Sequence, residues 1–195
     1  MKCNSEEQWI AAAKNGDTTA FDQLVEAHQD RIFNLCYWQL GNRDDAADAA
    51  QDCFVRAFRS LSKFRSESTF ATWLHRIAVN VCFDARHKKR KAPLAYTDLG
   101  KEDESSLPDP ATPLSENPEQ RSLRRERQQA VRRALANLPE HYRIALVLFE
   151  IEGYSYETIS GIFKTKTGTV KSRINRARLA LAEALGQEGE LFKNT

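Results

Sequence analysis

The strongest concentration of side chains with a chemical role lies near the end of the chain, in residues 155–178 (SYETISGIFKTKTGTVKSRINRAR). Six of these residues are Lys or Arg, and Glu157 is the single acid. The pattern predicts a short helix capped by Ser155, a brief turn and a longer basic helix capped by Thr167, which is the helix-turn-helix arrangement. Cations on such a helix neutralise phosphates, while side chains of its first turns face base edges. The segment therefore predicts a DNA-reading surface; the plainer alternative is an ordinary basic amphipathic helix.

A second concentration lies in residues 63–91 (KFRSESTFATWLHRIAVNVCFDARHKKRK). It joins aromatic and polar residues at a predicted helix start to a cationic end. Because aromatic faces stack on unpaired bases and cations hold the backbone of an opened strand, the segment suggests a single-strand interface with exposed aromatic rings. Two alternatives stay open. Phe70 and Trp73 lie at core spacing, and the cationic end also suits a solvated helix terminus favoured by the helix dipole.

The third concentration is acidic, with Asp44, Asp48 and Asp52 repeating at four-residue spacing on one predicted helix. A metal site would need ligands from other segments, and no partner His is evident. A solvated helix face and a docking face for a basic protein surface are the other two interpretations. The residues alone do not choose between them.

The segments that must position these clusters show helical periodicity throughout, and no useful stretch alternates with period two. We expect four helices before residue 92 and four after residue 120, which is an all-α fold. The predicted inward residues include Ala47 and Phe58 in the third helix and Leu123 in the first helix after residue 120. The predicted N-caps and breaks are Asp17, Gly41, a Ser-rich stretch before Phe70, Pro139 and Gly153.

Residues 93–120 separate the two helical parts and carry five of the six prolines. They contain 1 basic and 7 acidic residues, against 14 and 12 in residues 1–92 and 14 and 8 in residues 121–195. Such a segment buries too little apolar surface to offset its ordering entropy, so it is predicted to be an acidic, Pro-rich linker. No membrane span or signal peptide is evident, and the four cysteines form no CxxC pair. We therefore expect a cytoplasmic protein with reduced thiols, no metal and no cofactor.

Three stretches together resemble the extracytoplasmic-function (ECF) sigma factors of the main bacterial sigma family. They are DDAADAAQDCFVRAFRSL, FRSESTFATWLHRIAVN and LPEHYRIALVLFEIEGYSYETISGIFKTKTGTVKSRINRAR. The resemblance covers nearly the whole chain in order. It implies a polymerase-docking and minus-ten promoter-melting domain in residues 1–92, a linker in 93–120, and a helix-turn-helix domain in 121–195 that reads the minus-thirty-five element.

The resemblance also implies residue roles. Polymerase docking falls to Asp48, Gln51, Asp52, Phe54 and Arg56. Contacts with minus-ten DNA fall to Phe64, Arg65, Ser66, Trp73, Arg76, Asn80, Arg86 and Lys88. Contacts with minus-thirty-five DNA fall to Ser155, Tyr156, Lys166, Thr167, Thr169, Lys171, Ser172, Arg173 and Arg176.

The function implied is that of an alternative sigma factor that binds core RNA polymerase and promoter DNA without catalysis of its own. Control by an anti-sigma factor, a role in stress response and a monomeric free state are further expectations. One rival is a free-standing regulator that dimerises on paired half-sites. Another is a metal-dependent nuclease or phosphotransferase that uses the aspartate helix.

Overall fold

The computed structural model describes residues 3–91 and 117–186, and every regular element within those ranges is helical. The predicted all-α fold is thereby confirmed. The chain divides into two compact units. Most of the predicted linker lies outside the described residues, but its last residues belong to a helix that begins at Pro118.

Within residues 3–91, the first unit contains four α-helices and one short 3-10 turn. Their bounds are α1 Cys3–Lys14, α2 Thr18–Leu40, α3 Arg43–Ser60, the 3-10 turn Leu61–Lys63, and α4 Phe70–Lys91.

The helix ends in the first unit follow from side chains at the predicted breaks. Asp17 accepts hydrogen bonds from the backbone N–H groups of Thr19 (2.9 Å) and Ala20 (3.2 Å), so it caps α2 as predicted. Gly41 ends α2 at a φ of +75°, a left-handed conformation that favours glycine. Asn42 caps α3, so that helix begins slightly earlier than the sequence suggested.

Small residues let α3 pack closely against α2 and α4. The buried face of α3 consists of Ala46, Ala49, Ala50, Cys53 and Ala57. Ala47 and Phe58 are exposed instead, so their predicted inward placement is wrong: the buried stripe of small residues turns their positions toward solvent. Phe58 nevertheless covers part of its ring against Phe21, with 5.0 Å between ring centroids. Cys36, Cys53 and Cys82 are buried free thiols.

The described part of the second helical region, residues 117–186, contains four α-helices: α5 Pro118–Asn137, α6 Glu140–Leu146, α7 Tyr156–Phe163 and α8 Thr167–Gly186. A π-helical turn, Val147–Ile151, extends α6, and Gly153 at a φ of +68° follows it. The predicted stops at Pro139 and Gly153 therefore hold. Thr167 is the first residue of α8 rather than its cap, because the Lys166 carbonyl accepts the N–H groups of Thr169 and Val170.

Arg143 is a buried cation in the described core of the second unit. It is 1% exposed, and its Nη1 donates to the carbonyls of Leu135 (3.4 Å) and Ala136 (3.1 Å) near the end of α5. Because the Leu135 carbonyl also accepts the Leu138 N–H, the guanidinium and the backbone together satisfy this helix end. Leu123 is 41% exposed, so its predicted inward role is wrong. The apolar core consists mainly of Ala130, Leu138, Ile144, Leu148, Ile159, Ile162, Val170, Ile174 and Ala177.

Candidate nucleic-acid and docking interfaces

Helices α7 and α8 form the predicted helix-turn-helix. Ser155 Oγ accepts the Thr158 N–H at 3.2 Å, which caps α7. Ile159 and Ile162 on α7 and Val170, Ile174 and Ala177 on α8 are buried, so the opposite face of α8 is turned outward. On or near that face lie the exposed residues Lys166, Thr169, Lys171, Ser172 and Arg176, with Thr167 and Arg173 half-buried.

An aromatic pair supports this outer face. Tyr156 stacks on Phe149 with 4.7 Å between ring centroids, and Lys171 Nζ lies 5.4 Å from the Tyr156 ring centroid. Such cation–π contacts hold a flexible cation near one position. Tyr156 therefore links the turn after α6 to the recognition helix α8.

Arg178, seven residues after Lys171 on α8, also makes a cation–π contact. Its guanidinium lies over the Phe149 ring, 5.2 Å from the centroid, and it pairs with Glu150 at 2.6 Å. Neither Phe149 nor Glu150 was predicted from the sequence as a site residue. Glu150 lies 28 positions before Arg178, so no local spacing reveals the contact.

Two titratable groups border the recognition helix. Burial, and then the charge of Arg173, lower the pKa of His141. Hydrogen bonds from its own backbone N–H and from Ser155, together with the charge of Lys171, lower the pKa of the exposed Glu157. At the start of α7, the cationic surface of the second unit thus contains an acid whose ionised form is favoured.

The polar loop between the first unit's 3-10 turn and α4 stands on an aromatic cluster. Phe64 is 4% exposed and Trp73 is 8% exposed, with 5.2 Å between their ring centroids. Phe70 touches both rings, at 5.7 Å and 5.5 Å between centroids. The expectation of an exposed stacking ring is therefore wrong for Phe64, because that ring closes the core beneath the loop. For Phe70 and Trp73 the alternative of core placement holds.

Exposed polar groups lie above and beside that cluster. Ser66 adopts a left-handed φ of +56°, which non-glycine residues rarely do. Arg65, Ser66, Asn80 and Lys88 are exposed, whereas Arg76 and Arg86 are half-buried. In the predicted minus-ten set, the polar and cationic side chains are thus exposed or half-buried. The two aromatic side chains are buried.

Sequence reasoning missed Lys14 at the end of α1. Its Nζ donates to the Phe64 carbonyl at 2.5 Å and lies 5.3 Å from the Phe64 ring centroid. Fifty residues separate the two positions. Only the folded unit brings them together.

The predicted docking residues occupy two sides of α3. Asp48, Asp52 and Arg56 line a groove of about 510 Å³ beside α4, together with Asp84 and Lys88. Arg56 bridges Asp52 at 2.8 Å and Asp84 at 2.6 Å. The hydrogen bonds that Arg56 donates to Asp84 and then to Asp52 raise the pKa of the Arg56 guanidinium.

Gln51 and Phe54 lie on the other side of α3, in a groove beside α2. Phe58, 46% exposed, and Val55, 39% exposed, make that groove apolar. The five predicted docking residues thus form a charged edge and an apolar edge on one helix rather than a single patch.

Two kinds of feature are absent from the described residues. No helix there is long and apolar enough to cross a membrane. Within 3–91 and 117–186, no three His, Cys, Asp or Glu side chains are grouped as metal ligands.

Comparison with known proteins agrees with this arrangement. Residues 24–92 match the family model for sigma-70 region 2, and residues 128–181 match the model for sigma-70 region 4. The helical fold and its two surfaces thus define a sigma factor of the sigma-70 class.

The more particular group follows from whole-chain relatives. The chain is 37% identical to the RNA polymerase sigma-H factor of Pseudomonas aeruginosa, over 92% of this chain and 93% of that protein. It is 35% identical to the ECF sigma factor SigW of Bacillus subtilis, over 90% of this chain and 94% of that protein. The chain belongs to the ECF sigma factors: it is an alternative sigma factor that binds core RNA polymerase and directs promoter-specific initiation.

Solved structures show the same fold. A sigma factor RpoE from Bartonella quintana, in complex with the anti-sigma factor NepR, superimposes with a TM-score of 0.64 at 25% identity. The superposition covers 85% of this chain and 96% of the B. quintana sigma factor. CnrH, in complex with the cytosolic domain of CnrY, gives a TM-score of 0.66 at 24% identity over 94% and 98% of the two chains.

Proposed function

We propose that this sigma factor uses one surface in each unit, the first for polymerase docking and strand capture and the second for duplex reading. The first unit, residues 1–92, docks on polymerase through α3 and captures unpaired minus-ten bases at the loop before α4. The second unit, residues 121–195, reads the minus-thirty-five duplex with α8, and residues 93–120 link the two. The observation that carries this proposal is the contrast between a polar loop in one unit and a cationic recognition helix in the other.

Docking is assigned to both edges of α3. Asp48 is exposed on the charged edge, where it can meet a basic partner surface. The apolar edge around Phe54 supplies the desolvated area from which interfaces gain most of their affinity. Arg56 acts through its pairs with Asp52 and Asp84, because these hold the charged edge against α4.

Duplex reading is assigned to the first turns of α8. Thr169, Ser172 and Arg173 lie where a recognition helix faces base edges, while Lys166 and Arg176 lie where cations meet phosphates. Lys171 is held over the Tyr156 ring, and Ser155 holds the start of α7. These contacts fix α8 before DNA arrives.

Minus-ten capture is assigned to Arg65, Ser66, Arg76 and Asn80, with Arg86 and Lys88 toward the strand backbone. Single-strand binding combines such cations with pockets that accept bases turned out of the stack. Phe64 and Trp73 act beneath the loop as its support. The free energy for opening the promoter duplex then comes from binding the unpaired strand. On this proposal the protein performs no catalysis of its own.

Regulation by an anti-sigma factor is supported by the B. quintana relative, whose structure is a complex with one. We further propose a cytoplasmic protein that is monomeric without its partners and serves a stress response.

The direct test is transcription of host genomic DNA by purified core polymerase, with and without the protein, followed by sequencing of RNA 5′ ends. New starts that share two upstream motifs are the expected result, and they yield both promoter elements. A protein that adds no starts to an active core, yet binds paired half-sites as a dimer, would instead be a free-standing regulator.

A further inference from the structure

The two ends of the polar loop meet at its base. Phe64 precedes the loop and Phe70 follows it, and their rings touch edge to face at 5.7 Å between centroids. His28 of α2 lies 5.4 Å from the Phe70 ring, so the cluster is anchored to the helix core. Residues 65–69 are exposed above it. The side of the loop that carries Phe70 is fixed by ring packing and by Thr69, whose Oγ1 accepts the Thr72 N–H at the start of α4.

The entering side of the loop is fixed differently, by a residue from another helix. Lys14 donates to the backbone carbonyl of Phe64, immediately before the exposed segment, and its charge lies over the same ring. A cationic donor makes a stronger bond to a carbonyl than a neutral one does. Ser66, two residues further on, holds a left-handed φ that costs free energy unless its surroundings impose it.

Helix α1 is itself held at both ends. Near its start, Glu6 pairs with His28 Nε2 at 2.7 Å, and Ile10 and Ala13 are buried along its length. Lys14 is therefore a short tether from a fixed helix to the loop. The residue is exposed, but its ammonium is held at the Phe64 carbonyl.

We infer that Lys14 is a positioning residue for minus-ten capture: it holds Phe64 so that residues 65–69 keep the conformation that accepts an unpaired base. The inference rests on the proposed function of this loop. It adds α1, which contributes none of the assigned DNA contacts, to the machinery of promoter opening. Lys14 acts through the Phe64 backbone and touches no nucleotide.

The test compares Lys14→Met with Lys63→Met in holoenzyme. Both changes remove one positive charge from an exposed lysine near the loop, but no contact joins Lys63 to the loop backbone among the described residues. Binding is measured by fluorescence anisotropy with single-stranded oligonucleotides, one carrying the minus-ten sequence found by start mapping and one carrying a scrambled version. The quantity of interest is the ratio of the two affinities.

We expect Lys14→Met to lower affinity for the matched strand about three- to tenfold, the range of one lost hydrogen bond, and to leave the scrambled strand nearly unchanged. Lys14→Arg should restore most of the ratio, because Arg keeps a charged donor. Lys63→Met should change both strands equally, as a sequence-independent electrostatic effect does. Ser66→Pro, which forces a negative φ, should lower the matched affinity at least as much as Lys14→Met.

An unchanged ratio for Lys14→Met in a holoenzyme that discriminates normally with the wild-type chain would overturn the inference and leave the proposed function standing. Equal loss on both strands would also overturn it, because Lys14 would then be a general electrostatic contact. Failure of the wild-type holoenzyme to discriminate would instead count against the proposed function. Polymerase affinity and thermal unfolding of each variant, measured in parallel, separate loop positioning from loss of the fold; a matched-strand loss explained entirely by unfolding would overturn the inference.

Discussion

The nucleic-acid surfaces proposed for the two units are supported in different ways. In the second unit the proposed contacts lie on one helix, α8, whose inner face is buried and whose outer face contacts Tyr156, which stacks on Phe149. In the first unit the proposed contacts lie on an exposed loop that rests on buried rings. A helix matches the regular geometry of a major groove, whereas an unpaired base needs an irregular pocket. The difference indicates that duplex reading and strand capture require different kinds of support.

The supports differ in sequence range as well as in shape. Ser155 reaches Thr158 within one turn, but Lys14 reaches Phe64 across fifty residues. The loop therefore depends on the whole first unit, while the start of α7 is fixed locally. Variants that disturb packing should affect the first surface more widely than the second.

The largest effect is expected at the docking face, on which both DNA surfaces depend. Asp48→Arg combined with Asp52→Arg should weaken polymerase binding about a hundredfold or more, because like charges would then face a basic partner. Circular dichroism should show an intact fold, and surface plasmon resonance measures the affinity. Glu26→Arg combined with Asp30→Arg is the matched control, with equal charge change at two exposed acids four residues apart on α2 that line neither groove. Wild-type affinity in the first variant would place docking elsewhere.

Comparing Phe64→Ala with Arg176→Ala tests whether the buried ring beneath the loop stabilises the fold more than an exposed side chain of α8 does. Removing a buried aromatic ring should lower the free energy of unfolding by about 3–5 kcal/mol. Arg176→Ala on the exposed face of α8 should change it by less than about 0.5 kcal/mol. Chemical denaturation of the two variants measures both values. A small loss for Phe64→Ala would mean that the ring is available to stack on bases after all.

Arg173→Ala should weaken holoenzyme binding to the minus-thirty-five duplex by about 1–3 kcal/mol if it contacts a base, with selectivity reduced at one position. Lys166→Ala should weaken all sequences alike, since phosphate contacts carry no sequence information. Binding to a set of single-base variants of the element distinguishes the two. Uniform loss for Arg173→Ala would reassign it to phosphate.

Buried thiols occur in the described part of the first unit, and the second unit's sequence contains no cysteine. Burial raises the pKa of Cys53 to about 12, and a hydrogen bond that the Cys36 thiol donates to Cys82, together with burial, raises the pKa of Cys36. The native state then keeps protons that the unfolded chain releases near pH 9.0. Stability is therefore complete below that pH and falls as pH rises toward the native values, by about 1.4 kcal/mol per pH unit for each such thiol.

Urea unfolding between pH 8 and pH 10.5 measures this slope, and Cys53→Ala should make it shallower. A slope that the substitution leaves unaltered would show that the thiol ionises equally in both states.

The smallest effect is expected for Glu150→Ala. Glu150 and Arg178 are both about half-exposed, and exposed ion pairs contribute at most about 1 kcal/mol. Thermal unfolding should shift slightly, and affinity for the minus-thirty-five duplex should stay near wild type because Phe149 still holds Arg178. Glu183→Ala, an exposed acid further along α8, is the control. A large loss of DNA affinity would show that the pair positions α8.

Much of the fold is visible in the sequence because its boundaries are local. Asp17, Gly41, Pro139 and Gly153 act within a turn of their own positions, so their roles can be predicted without a structure. The side of α3 that is buried could not be assigned correctly at Ala47 and Phe58, because neighbouring helices decide which face is covered.

In the candidate site, too, local features could be predicted from the sequence and long-range contacts could not. The recognition helix and the acidic residues of α3 are apparent from composition and spacing. Core spacing in the sequence already indicates burial for Phe70 and Trp73. The burial of Phe64, the Arg56 bridge to Asp84 and the tether from Lys14 depend on residues far apart in the chain, so they could be found only in the folded structure.

The most direct test of the division between the two surfaces follows binding and opening separately on one mapped promoter. Footprinting measures the bound fraction, and permanganate reactivity measures unpaired thymines in each bound complex. Asn80→Ala should bind the promoter nearly as wild type does and expose fewer thymines per complex. Arg173→Ala should bind less and expose them normally in the complexes that form. Loss at the same step in both variants would contradict the account.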